Sequence, residues 1–217
     1  MYNLVIKDLK LGINPWFLVL PFFIGAFMLI PNWIYFLVLQ YFFWVSVPNI
    51  FAQFKAQNDL VFTTTLPVSR KDMVKARVTV IVILELLHLV IAMIFGLFTI
   101  QLYPDIIYSF FAPHMGFWGL CFVMLAIFNI IFIPMFYKTA YKYGSAATAS
   151  ITATLLYFLG VQWLGTQNSF VYETFNGSGA DHVALQISIL LAGIVIFIVF
   201  TIVACSIAIK RFGRLDI

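Results

Sequence analysis

VALQISILLAGIVIFIVFTIVACSIAI, Val183 to Ile209, runs without a charge and stops at Lys210-Arg211. A helix needs about 20 apolar residues to cross a hydrocarbon core of roughly 30 Å, so this run suffices for one crossing. Cations at the end of a span are retained on the cytoplasmic side, which fixes the direction of the crossing.

The same rule orders the rest of the chain. All twelve Lys and Arg fall in four short segments, Lys7 to Lys10, Lys55 to Arg77, Lys138 to Lys142 and Lys210 to Arg214, and the loops between alternate pairs of apolar runs have none. The inner segments hold twelve cations against four acids (Asp8, Asp59, Asp72, Asp216), while the outer loops hold three acids (Asp105, Glu173, Asp181). Both termini are therefore expected in the cytoplasm. Cations divided among loop ends suit anionic inner-leaflet lipid and not a nucleic-acid partner, which would need one basic stripe with a recognition element.

Composition agrees. The 217 residues are 64% hydrophobic and 9% charged, against roughly 45–50% and 25% in an ordinary globular chain. An all-α membrane protein is expected, as one transmembrane domain over residues 1–217 with six spans. These are read near Pro15 to Ile30, Trp33 to Phe51, Val78 to Gln101, Phe117 to Tyr137, Ala146 to Leu164 and Val183 to Ile209. Pro31-Asn32 makes the first two spans a hairpin, and Pro21 is expected to kink the first. Residues 1–13 carry spaced apolar side chains around Lys7 and Lys10 and read as an interfacial helix. MYNLVIKDLK has no apolar core with a small-residue cleavage site, so no signal peptide is expected. Cys121 and Cys205 lie in apolar runs and read as small hydrophobes.

Small residues at the start of the fifth span (Ala146, Ala147, Ser150) predict close contact with another helix. The 25 Phe, 10 Tyr and 5 Trp are read mainly as lipid-facing packing and interfacial belts. Asn176-Gly177-Ser178 has the form of a glycosylation sequon but reads as a turn. Phe170, Val171, Tyr172 and Phe175 are placed in an outer loop that caps the mouth.

The cytoplasmic loop over residues 53–77, QFKAQNDLVFTTTLPVSRKDMVKAR, is built from two helix ends. A short helix starting near Asn58 or Asp59 must stop at Pro67, which lacks a backbone donor and biases Leu66 out of helical conformation. Ser69 with Asp72 three residues on forms a capping-box pattern, Val68 and Met73 sit at staple positions, and a new helix starts at Arg70. A short helix tied through a stiff elbow to the third span can act as a lever; the bland alternative is a helix that tiles the headgroups.

LPVSRKDMVKAR, preceded by a short helix and followed by a long span, resembles the first cytoplasmic loop of six-span permeases of bacterial ABC exporters of the type-2 class. Within that class the chain is similar to permease subunits of Gram-positive peptide exporters, including the staphylococcal exporter of phenol-soluble modulins. The resemblance implies that the loop holds a coupling helix docking on a separate ATPase subunit. Asp59, Leu60, Phe62, Thr63 and Leu66 would face the ATPase, and Pro67, Ser69 and Arg70 would form the elbow. It also implies a bacterial plasma-membrane location, pairing with a second permease copy or a homologous permease, and alternating access for amphipathic or hydrophobic cargo such as toxins or antimicrobial peptides. No glycine is followed by lysine, so the chain has no G-x-x-x-x-G-K-[ST] phosphate loop; ATP and Mg are expected in the partner ATPase and no cofactor in this chain.

Glu85 and His88 are the acid and the histidine embedded in a span, three residues apart on one helix face. Ionisable groups at that depth are default functional candidates. They read as a mutually satisfied pair, as the lining of a cargo pathway, or as half of a metal motif whose second half is missing. A self-contained secondary transporter or channel using them as a proton or cation site is the alternative function.

Overall fold

The structure, a computed structural model, describes residues 2–13, 15–104, 106–139, 142–176 and 182–214, apart from the side chains of Leu11, Leu60 and Val61. Asp105, Asp181, Asp216 and the Gly177-Ser178 turn thus lie outside the described residues. Every regular element among them is helical.

Helix α1 (Tyr2–Gly12) precedes α2 (Trp16–Gly25), which tightens into a 3-10 turn at Ala26–Leu29. Next come α3 (Phe36–Tyr41) and α4 (Val47–Ala56), joined by a π-helical turn at Phe42–Ser46 into one rod. Here the Val47 N–H reaches back to the Phe42 carbonyl. The wide turn accommodates Pro48, which has no N–H to give and whose ring would crowd a normal α turn. Asn58 closes α4 with a φ of 50°, a left-handed conformation that asparagine tolerates. Then follow α5 (Asp59–Thr64), α6 (Arg70–Leu102), α7 (Met115–Lys138), α8 (Tyr143–Gln167), α9 (Ser169–Asn176) and α10 (Val183–Gly213).

Five helical stretches are long and apolar enough to span: Phe36–Ala56, Arg70–Leu102, Met115–Lys138, Tyr143–Gln167 and Val183–Gly213. The first expected span, read near Pro15 to Ile30, agrees with the structure to within a residue at each end, and it is short. Trp16–Leu29, at 1.5–2 Å per residue, reaches only about 20–25 Å of a roughly 30 Å core. The turn expected at Pro31-Asn32 closes it, with Asn32 at a φ of 59°. It still makes the first traverse together with its flanks, because its two ends lie at opposite ends of the bundle. On one side, Asn32 donates to the Ser109 hydroxyl at 3.1 Å and accepts from the Ser109 N–H at 2.7 Å. On the other, α1 meets α5 through Lys7 and Asp59.

The four cationic segments converge at that second end. Arg70 hydrogen-bonds the Phe212 carbonyl, Arg211 donates to the Pro134 carbonyl at 2.9 Å, and the Tyr137 and Phe212 rings meet at 5.3 Å. At the far end, the Ala112 N–H donates to Phe175 O and Gln186 donates to Thr174 O. The outer stretch after α8 is a helix, α9, where the sequence suggested a loop. It covers the start of α7, Phe175 packing edge-on to Phe111 at 4.8 Å.

Two contacts set the core. Phe128, Phe132 and Phe136, one turn apart on α7, stack in series, and Phe43 stacks on Phe128 at 4.1 Å. Part of the phenylalanine content is therefore core and not lipid face. Helices α7 and α10 cross at Gly119 and Gly193, so closely that a Cβ added at Gly193 would lie 2.2 Å from the Gly119 carbonyl oxygen. The small-residue face of α8 is buried within the same chain: Gln40 of α3 donates to Ile151 O and to the Thr154 hydroxyl beside it.

Candidate functional site

Pro67 ends the turn after α5, and Ser69, extended at φ −74° and ψ 145°, begins α6 by accepting from the Asp72 N–H at 3.1 Å. The reciprocal half of the expected capping box differs. The Asp72 carboxylate accepts from the Ser69 hydroxyl at 2.7 Å in place of the backbone N–H. Since α6 is unbroken from Arg70 to Leu102, the elbow joins α5 to a single rod across the bundle. Ser69→Ala should cost about 1 kcal/mol, the usual loss for an N-cap, read as a lower melting temperature in detergent.

The inner face of α5 is bolted by charge. Asp59 accepts from Lys7 at 2.6 Å and from Arg77, and Asp8 accepts from Arg77 at 2.7 and 3.3 Å. Lys7 also donates to the Thr63 hydroxyl, which itself donates to Asp59. The Arg77 guanidinium lies 3.5 Å over the Phe54 ring. Two acids and two cations thus neutralise one another where α1, α4, α5 and α6 meet. The Asp8 and Asp59 side chains are 4% exposed and Arg77 8%. Delocalised charge and a planar fork suit arginine to two carboxylates and an aromatic face at once.

This corrects two assignments. Asp59 and Thr63, expected on the ATPase-facing side, turn inward at 4% and 3% exposure because Lys7 and Arg77 claim them. Phe62 projects outward at 53% exposure. Leu66 is half-buried, Pro67 and Ser69 are exposed, and the Leu60 side chain lies outside the described residues. Arg70 does more than form the elbow, since it reaches the Phe212 carbonyl and ring at the end of α10.

Burial pushes the Asp59 carboxyl upward, but the Arg77 charge and the Lys7 and Arg77 hydrogen bonds outweigh it and hold the group below its ordinary value. A carboxyl depressed in the folded state contributes stability above its unfolded value of about 4 and loses it as pH falls through the folded value. Acidification below about pH 4 should therefore loosen α1 from α5. Leu4 is buried beside the cluster, and protection of the α1 amides from hydrogen exchange, corrected for the intrinsic pH dependence of exchange, should fall as pH drops through that range.

Glu85 and His88 do share a buried face of α6, at 0% and 1% exposure, yet they take separate partners. The Glu85 Oε2 accepts from Asn129 at 2.9 Å, and Asn129 also donates to Thr201 at 3.2 Å. His88 Nε2 bonds the Val38 carbonyl at 2.9 Å and its ring lies against Phe42. Sequence reasoning missed Asn129 and Gln40, polar residues in apolar runs that intramembrane cost alone would flag. It also missed Lys7, Asp8 and Arg77 as a unit, because only the fold joins them.

The family model for ABC-2 family transporter proteins matches residues 3–212. No curated protein and no solved structure matches the chain. With nearly its whole length matched and its helices arranged as a multi-pass bundle of the bacterial plasma membrane, the chain belongs to the ABC-2 transporter family as a permease subunit.

Proposed function

We propose that this permease is an exporter of amphipathic or hydrophobic peptides whose α5 is the coupling helix for a separate ABC ATPase, two permeases pairing around the cargo path. The observation that carries this reading is the division of α5. One side is fixed to α1 and α6 by the ion cluster, and the other presents Phe62 outward, with the short turn over residues 65–69, capped by Ser69, leading into α6. A push on such a helix moves α6 instead of bending the loop. ATP binding and hydrolysis in the partner would thereby rock the paired bundles between inward and outward access.

An apolar groove of about 250 Å³ between the first traverse and the α3–α4 rod, lined by Phe27, Trp33, Leu37, Tyr41 and Trp44, has the chemistry to hold apolar chains and not sugars or ions. The resemblance read from the sequence to permeases of Gram-positive peptide exporters is what suggests peptides as the cargo.

The test is transport in vesicles holding the permease and its ATPase, with an uncoupler collapsing the proton gradient. Peptide efflux is expected to persist under the uncoupler and to stop without ATP. Efflux that needs the gradient and runs without any ATPase would replace this reading with secondary transport through Glu85.

A further inference from the structure

Glu85 lies where α6, α7 and α10 meet, fully buried, and its environment has an unusual imbalance. Asn129 of α7 donates one amide hydrogen to Glu85 Oε2 and one to Thr201 of α10. That leaves Glu85 Oε1 and Asn129 Oδ1 as buried acceptors with no donor. His88, a turn away on α6, gives Nε2 to Val38 of α3 and leaves its Nδ1 without a partner, a need separate from that of the Glu85–Asn129 pair. Arg77, eight residues earlier and about 12 Å along the axis, is committed to Asp8 and Asp59. On α10 the nearest titratable side chain along the helix is Cys205, one turn past Thr201, and on α7 Cys121 and Tyr137 each lie about two turns from Asn129. None of the three supplies positive charge.

A carboxylate in this position would have no counter-ion and one amide hydrogen bond, far short of what burial of a full charge demands. A carboxylic acid adds the one hydrogen-bond donor that the two orphaned acceptors lack. We propose that Glu85 is a proton-binding site built into the α6–α7–α10 contact: it holds its proton while Asn129 and Thr201 close over it, and yields it to water when α6 parts from α7. Because α5 and its elbow ride on α6, the movement that drives the permease would carry a proton release with it. Opening would then become easier as pH rises, by at most tenfold per pH unit for one proton.

The chain has two glutamates, Glu85 and Glu173, which makes the measurement direct. The full-length Glu173→Gln protein, carrying carbon-13 at the glutamate side-chain carboxyl and held in lipid vesicles, has one labelled side-chain carboxyl. Its magnetic-resonance shift is expected at the protonated position at pH 7 and should move when Asn129 is replaced by leucine. A shift at the carboxylate position at pH 7 overturns the proposal. The link to motion rests on the exporter reading, whereas the resonance does not, so the two fail separately. For the link, ATP-driven efflux by the native complex should rise with pH more steeply than efflux by Glu85→Gln. Identical profiles would confine the proton to a static role and overturn that half.

Discussion

Arg77→Ala is expected to destabilise the protein by about 3–5 kcal/mol, the cost of breaking a buried ion pair and stranding its partners. The loss is large because one guanidinium serves two carboxylates. Asp8 and Asp59 would remain buried with only Lys7 between them, and the Phe54 ring would lose the cation on its face. Arg77→Lys should fall between, since an ammonium keeps the charge but cannot reach both acids with a planar fork. The fourfold change Lys7→Met, Asp8→Asn, Asp59→Asn, Arg77→Met should recover most of the loss, because an uncharged, filled site has no ion to desolvate. Thermal unfolding in detergent checks all three; an unchanged melting temperature for Arg77→Ala would mean the cluster contributes nothing.

Gly193→Val should be at least as damaging. The added Cβ would meet backbone, 2.2 Å from the Gly119 oxygen and 2.8 Å from its carbonyl carbon, so no rotamer change relieves it. The helices must separate, at or beyond the upper end of the roughly 1–3 kcal/mol usual for overpacking. In lipid, close packing is itself the main force joining helices, so separation also removes contact along the crossing. Gly160→Val on α8, where a Cβ would meet nothing within 4 Å, is the control and should be near neutral. Equal melting temperatures for the two variants would contradict the crossing.

The charge partition carried most of the architecture into view, because membrane orientation is written locally in Lys and Arg at span ends. The elbow was legible for the same reason: Pro67 and Ser69 act on their immediate neighbours. What escaped was whatever depends on distant segments. Asp59 and Thr63 are four residues apart and so share a helical face, but which way that face turns is decided by Lys7 and Arg77, each far along the chain. The Ala-rich start of α8 advertised close packing, while the tightest crossing uses two isolated glycines on α7 and α10 that no local pattern singles out. The short first traverse was legible to within a residue at each end, because Pro31-Asn32 marks its close locally.

The reading turns on whether the outward face of α5 binds an ATPase. Tagged permease should be co-expressed with its ATPase and captured from membranes at equal expression, comparing the native chain with Phe62→Asp and with Phe170→Asp, an equally exposed site at the outer end. The account predicts equal capture by the native chain and Phe170→Asp. It predicts a roughly 30-fold loss of affinity for Phe62→Asp, the effect of removing an interface hot spot worth about 2 kcal/mol. Full capture by Phe62→Asp would contradict it.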